Sequence, residues 1–441
     1  MLQNRSSIRL LLAILFSSLL ASAAQAFQIQ EVKTPGGISA WLVEEHAIPL
    51  IAMSYSFRGG TASEPADKAG LTYFLSGMLD EGAGSLDSEA FRKRRDELSA
   101  RISFDNSADR FSGSFQTLTE TRDQSFDLLR LALTAPRFDP EPFERVRSQI
   151  LLGLQDEDQD PEQIAFDNWR KRIFDGHPYS RNGHGSEQGI KAATADDLSK
   201  RRKELFSRDN LLVVAVGDID AATLGRLLDR TFGEFPATGK PAEVPEAILA
   251  KGPSLNIIDR DIPQSIIQFG QAGIKRKDPD FIAAYLMNDI LGGSGFGSRL
   301  TDEIREKRGL SYSVYTELYP LYHGAAMFGG AATRNDRAGE TIKLIKSELK
   351  RFATEGPTPA ELDDAKTYLT GSYTLRFDTN KKIAGQLLGI HEQDLGIDYV
   401  DKRNGLIEAV TLEDVKRVAR RLIDADALIF TVVGKPEGLK P

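Results

Sequence analysis

The sequence predicts an α+β protein of two homologous domains, each an antiparallel sheet with helices packed on one face. Three observations carry that prediction. Residues 192–217 (AATADDLSKRRKELFSRDNLLVVAVG) align without a gap with residues 409–434 (AVTLEDVKRVARRLIDADALIFTVVG). Each reads as a Thr-capped helix, a polar turn and a buried apolar strand ending in Gly. Upstream of these, residues 73–79 (YFLSGML) line up with residues 285–291 (YLMNDIL), in the same order and at a similar spacing. A repeat this long is not a solenoid period; it marks two copies of one domain. Finally, 441 residues exceed one ordinary core, and alternating strands interleave with long amphipathic helices.

Taken in order, residues 1–26 read as a secretory signal peptide. Arg5 and Arg9 form its basic start, residues 10–20 its apolar core, and Ala24-Gln25-Ala26 its small-residue cleavage site. The apolar run is too short to span a bilayer well, so no stable membrane insertion is expected. The signal is bacterial in type and implies an exported, periplasmic protein. The first domain, 27–236, opens with strands at 38–44 and 50–57 and a helix from Lys68. Residues 102–106 and 110–115 read as a hairpin. Helices follow near 120–134, 141–157 and 161–174, the last opened by Asp160 as cap and Pro161 at the first helical position. Pro236, Pro241, Pro245 and Pro253 punctuate residues 233–254, where we place a linker at 237–253. The second domain, 254–441, starts with strands at 254–259 and 265–272. Thr358-Pro359-Ala360-Glu361 is a capping box that starts a later helix.

Composition excludes several functions. A globular chain of net charge −8 without a basic cluster argues against a nucleic-acid partner. The absence of cysteine excludes disulfides, thiolate metal sites and a cysteine nucleophile. It also avoids mispairing in an oxidising compartment. No P-loop or G-x-S-x-G elbow is present. His177 and His184 share one loop near Asp175 and Glu187; a turn-structuring role is favoured there over a metal site. Asp80, Glu81, Asp156, Glu157 and Asp158 read as solvated or helix-end carboxylates.

The most informative stretch is Ser298-Arg-Leu-Thr-Asp-Glu-Ile-Arg-Glu-Lys-Arg-Gly-Leu-Ser-Tyr-Ser-Val-Tyr315. Ser298 is a candidate cap, Leu300 and Ile304 share a helix face, and Gly309 is a stop. Leu310, Tyr312 and Val314 then alternate as one face of a strand. The reversal at Gly309 places Arg305 near Tyr312, so a guanidinium and a phenol aim at one spot. Such a pair is suited to a peptide carbonyl and the charge that grows on it during hydrolysis. The plainer reading makes Tyr312 a core tyrosine and Arg305 a solvated helix arginine among Glu303, Glu306 and Lys307.

The stretch resembles the arginine–tyrosine segment of pitrilysin-type (insulinase-like) zinc peptidases. The run Gly292-Gly293-Ser-Gly295-Phe-Gly297 before it resembles that family too, as do Gly59-Gly60-x-x-x-Glu64 and Met78 in the first half. The family's H-x-x-E-H, in which two histidines hold zinc and a glutamate activates water, is missing. Tyr73 stands for the first histidine, Ser76 for the glutamate and Gly77 for the second histidine. Gly153 falls where a later glutamate completes the site. The resemblance implies a chain without metal or other cofactor of its own. It implies a non-catalytic subunit paired with a homologous zinc-bearing H-x-x-E-H subunit. This chain then supplies Arg305 and Tyr312 to the partner's site, with Gly292, Gly293 and Gly295 bordering a peptide substrate. The alternative is an inert peptidase fold acting as a peptide-binding or scaffold module.

Overall fold

The structure, a computed structural model, describes residues 28–239, 241–293 and 297–440. The expected signal peptide and Gly295 lie outside the described residues. Six strands form the first sheet: β1 (Gln30–Lys33), β2 (Ser39–Glu44), β3 (Leu50–Arg58), β4 (Arg101–Asn106), β5 (Arg110–Leu118) and β6 (Leu211–Gly217). Five form the second: β7 (Ser254–Asp259), β8 (Gln264–Ala272), β9 (Val314–Leu321), β10 (Gly324–Arg334) and β11 (Ile429–Gly434).

The sheet orders are β1-β2-β6-β3-β5-β4 and β7-β11-β8-β10-β9. Each sheet is antiparallel except at one parallel pair, β2 with β6 and β7 with β11. Apart from the additional β1, the two orders superimpose strand for strand, as duplication requires. The aligned repeats match in detail. Helices Ala195–Leu205 and Leu412–Leu422 each open on a capping box, Thr194 with Asp197 and Thr411 with Asp414. Strands β6 and β11 each end on a glycine of positive φ, +138° at Gly217 and +139° at Gly434. At Gly217 an added Cβ would lie 2.1 Å from the Leu50 carbonyl oxygen, so glycine is required by both torsion and space.

The helices of each half cover one face of its own sheet. In the first half Phe74, Leu75 and Met78 join Phe126, Leu129, Leu224 and Leu228 over Met53, Tyr55 and Phe115. The opposite face of each sheet is covered by a helix from the other half. Ile383, Ala384, Leu387 and Leu388 of helix Asn380–Glu392 pack on Trp41, Val43, Val214 and Val216 of the first sheet. Reciprocally, Trp169, Ile173 and Phe174 at helix Pro161–Ile173 pack on Ala326, Phe328 and Ile429 of the second. Gly270 of β8 makes room for this helix: an added Cβ would lie 2.5 Å from the Trp169 ring. The sheets therefore bury both faces, which explains the nearly continuous apolar run of β3.

Residues 241–253 form no helix or strand, yet they are tied to both halves. The Ala247 N–H donates to the His323 carbonyl at 2.6 Å and the Ala250 N–H to that of Ile173 at 2.9 Å. The expected helix from Lys68 starts later, at Leu71, because Gly70 sits at φ +107° after a short 3-10 turn. No helix among the described residues is long and apolar enough to cross a membrane.

Candidate functional site

The helix Leu71–Met78 carries the positions of the missing metal motif, and a buried polar frame holds its start. Glu64 is 5% exposed, and its carboxylate accepts from the Gly70 N–H at 2.8 Å and from the Thr72 N–H. An anion at a helix N-terminus satisfies otherwise unpaired donors. Arg201, 1% exposed, faces it. The guanidinium donates to the Gly60 carbonyl at 2.8 Å, the Ser63 hydroxyl at 2.7 Å and the Thr72 hydroxyl at 3.0 Å. Burial pushes the Glu64 pKa up and the Arg201 pKa down, and each charge opposes the other's shift. The Gly59-Gly60-x-x-x-Glu64 run singled out in the sequence is thus the clamp that positions this helix. Arg201 is its missing half, which no local motif announces.

Tyr73, Ser76, Gly77 and Gly153 line one cavity of about 320 Å³, so the chain does bring the four positions together. The Ser76 hydroxyl turns back to the Tyr73 carbonyl at 2.7 Å. The Tyr73 ring lies 4.4 Å from the His184 imidazole, centre to centre. His184 Nδ1 contacts Glu157, whose other oxygen accepts from the Asn182 amide at 2.8 Å. Glu157 is therefore a member of this cavity rather than a solvated helix-end carboxylate, because the loop 182–184 folds back over it. Glu81, the remaining acid of the cavity, is held by Arg145 at 2.5 Å and by Ser88. These donors do not fit zinc. The imidazole and Glu157 engage each other and Glu81 is held by Arg145 and Ser88, which makes no ligand set, and no cluster of three His, Cys, Asp or Glu able to hold a metal occurs among the described residues. His177 has a separate task. Its Nε2–H donates to the Pro245 carbonyl at 2.8 Å, while Nδ1 accepts from the Tyr179 N–H at 3.1 Å. It structures the turn and anchors the interdomain segment.

Arg305 and Tyr312 meet in the second half, with the guanidinium 4.8 Å from the centre of the Tyr312 ring. Arg305 Nε also reaches Glu306 at 3.3 Å. Leu300 and Ile304 are fully buried, as their shared face predicts. The turn Thr301–Glu306 is a π-helix, and the Lys307 N–H donates to the Asp302 carbonyl at 2.9 Å. Gly309, at φ +59°, ends it, and the Leu310 N–H closes back on the Ile304 carbonyl at 2.9 Å.

One expectation fails beyond that point. Leu310, Tyr312 and Val314 do not form one face of a strand: Leu310 and Val314 are buried, while Tyr312 is 82% exposed. The Ser311 hydroxyl donates to the carbonyls of Ser313 and Ala332 and draws the chain into a loop. Strand β9 begins only at Val314. The plainer reading of Tyr312 as a core residue is excluded with it. Gly292 and Gly293 are explained by close packing: an added Cβ would lie 2.5 Å from the Thr316 hydroxyl at the first and 2.7 Å from Asp289 Cα at the second. Asp289 itself is pushed up to about 6 by burial.

Two family models match the chain. Residues 46–185 match "Insulinase (Peptidase family M16)" and residues 192–369 match "Peptidase M16 inactive domain". The "Non-peptidase homolog YmxG" of Helicobacter pylori is 27% identical over 430 residues, covering 97% of each chain. The "Mitochondrial-processing peptidase subunit beta" of Lentinula edodes is 21% identical, over 86% of this chain and 84% of that one. The crystal structure of a peptidase M16 inactive domain from Pseudomonas fluorescens superimposes with a TM-score of 0.87 at 27% identity, over 94% of this chain and all of that one. With duplicated sheets and two matching family models that together span most of it, this chain belongs to the insulinase-type M16 peptidase family, and its sequence holds no H-x-x-E-H.

Proposed function

We propose that this chain is the non-catalytic subunit of a two-chain zinc peptidase exported to the periplasm. Its partner is a homologous chain that keeps H-x-x-E-H. The carrying observation is a contrast between the halves. The motif helix is held in place but has no ligands left, whereas Tyr312 projects into solvent with Arg305 against its ring. An exposed tyrosine held by a cation is a poor core element and a good contact for something outside the chain.

In the assembled enzyme Tyr312 donates its hydroxyl to the oxyanion of the hydrolysed peptide bond. Arg305 holds a neighbouring substrate carbonyl. The substrate is an extended peptide that pairs with a strand edge in the partner. A relative named a subunit of a processing peptidase supports the two-chain reading.

The test is to mix this chain with its H-x-x-E-H relative and follow peptide cleavage and size exclusion together. The proposal requires activity that neither chain shows alone, and a specific interface of at least ~1,000 Å². A zinc-bearing chain fully active by itself and indifferent to this one would instead support the scaffold reading.

A further inference from the structure

The duplication places a second cavity where the degenerate metal pocket has its counterpart. Tyr285 and Asn288 line it, as Tyr73 and Ser76 line the first, and β9 forms its wall where β4 does in the other half. It measures about 380 Å³ and lies between helices Phe281–Gly292, Asn380–Glu392 and Tyr399–Glu408. Its chemistry is quite different. Three arginines, Arg276, Arg376 and Arg403, line it, and Glu317 is its only acid among the described residues.

No carboxylate lies within 4.0 Å of any of the three guanidiniums among the described residues, whereas Arg417 and Arg421 nearby in sequence each hold Asp280. Arg403 is only 6% exposed. Its guanidinium lies 4.0 Å from the centre of the Tyr373 ring and donates to the Leu369 carbonyl at 3.1 Å. Arg276 donates to the Tyr399 hydroxyl at 2.7 Å and lies over the Phe281 ring. Aromatic faces and neutral oxygens thus orient Arg276 and Arg403 without neutralising them, and Arg376 stands exposed at the rim.

Asn288 belongs to the wall of the cavity. It is 9% exposed, and its amide nitrogen donates to the Thr316 carbonyl at 3.0 Å. That bond fixes which end is the oxygen, and Oδ1 is itself closed off from the cavity. The cavity also has room. Gly385 and Gly389, one turn apart on helix Asn380–Glu392, face it, and an added Cβ at either would meet no atom within 4 Å. Ile282, Leu318 and Ile407 add apolar wall.

We propose that this cavity binds a carboxylate that carries an apolar group, the chemistry of an acyl-amino acid or of a carboxylate-bearing peptide. The guanidiniums take the carboxylate and the apolar wall takes the side chain. A bare phosphate satisfies the cations but offers nothing to Ile282, Leu318 and Ile407. The site lies wholly in this chain and does not depend on the partner proposed above.

The experiment is calorimetric titration of the full chain with four probes. They are N-acetyl-Ala-Leu as the free acid, its C-terminal amide, N-acetyl-Ala-Asp-Ala amide and inorganic phosphate. The expected result is saturable binding of the free acid, weakened at least roughly tenfold by amidation. Binding of the Asp peptide at comparable strength assigns the carboxylate to an internal acidic side chain as well as to a chain end. Gly389→Leu, which fills the cavity, and Arg276→Gln should each weaken the free acid by roughly tenfold or more with an unchanged circular dichroism spectrum. Equal binding of acid and amide, tighter binding of phosphate than of either carboxylate probe, or no binding of either carboxylate probe up to about 10 mM overturns the proposal. So does binding untouched by both variants.

Discussion

Arg201→Met in the first half is predicted to be among the most damaging single changes away from the apolar core. The side chain is 1% exposed and serves the Gly60 carbonyl and the hydroxyls of Ser63 and Thr72. Methionine fills much of the volume but satisfies none of these groups. It also leaves the Glu64 carboxylate, 5% exposed, without the cation that faces it. Each stranded buried polar group costs ~1–3 kcal/mol, and removing one partner of a buried charge pair costs ~3–5 kcal/mol. These costs overlap, so a loss of about 4 kcal/mol is expected, a large part of a typical ~5–15 kcal/mol. Urea denaturation followed by tryptophan fluorescence measures it, since Trp41 and Trp169 report from both sheets. Glu64→Gln completes a double-mutant cycle. Because the two charges serve one frame, the double variant should lose less than the sum of the singles, by ~0.5–3 kcal/mol. A loss below about 1 kcal/mol for Arg201→Met, or strict additivity, would refute the claim that this pair clamps the motif helix.

Further predictions concern the metal, the pH response and the restored motif. Elemental analysis of the gently purified chain should find no stoichiometric zinc; one zinc per chain whose removal abolishes activity would end the subunit account. Asp289 is raised to about 6 in the folded chain, so its contribution to stability is present below about pH 4 and is lost as pH rises through about 6. Asp289→Asn should therefore flatten that part of the stability profile and stabilise the chain at pH 7, by about 1 kcal/mol after allowing for partial exposure. The variant Tyr73→His, Ser76→Glu, Gly77→His, Gly153→Glu should fold, because Gly153 faces open space and an added Cβ at Gly77 meets only Val146 at 3.2 Å. It should bind zinc weakly at best, because outer partners that orient ligands are each worth ~10–100-fold in metal affinity and did not evolve around these four positions. Full peptidase activity from that variant alone contradicts this account of the decay.

Local pattern made much of the fold legible. Thr194, Thr411 and Thr358 announce helix starts by their caps, and the paired segments around β6 and β11 reveal the duplication without any long-range information. What was illegible is partnership. The apolar stripe of helix 161–173 shows that it has a buried face, yet nothing in its spacing says that the face covers the other half's sheet. The same holds for Arg201: Glu204 is a local partner, but Gly60, Ser63 and Thr72 lie more than a hundred residues away in sequence. Tyr312 was misplaced for a local reason. Alternation from Leu310 to Val314 mimics a strand, but the Ser311 hydroxyl competes for backbone carbonyls and bends the chain out. At the metal motif, the family resemblance pointed to Tyr73, Ser76, Gly77 and Gly153, which line one cavity; only the structure shows His184 and Glu157 joined to each other there.

The central claim is that Tyr312 and Arg305 act on a substrate held at another chain's metal. The direct measurement is turnover by the assembled pair of chains, with complex formation measured on the same samples, for Tyr312→Phe and Arg305→Ala. Phenylalanine keeps the ring against the guanidinium and removes only the exposed hydroxyl, so folding and assembly should be unchanged. Loss of one oxyanion donor typically costs ~10²–10³ in turnover, and a metal sharing the charge moves the expectation to the lower end or below. The account predicts intact complex with turnover down by roughly tenfold to a hundredfold. Intact complex with unchanged turnover in both variants would contradict it.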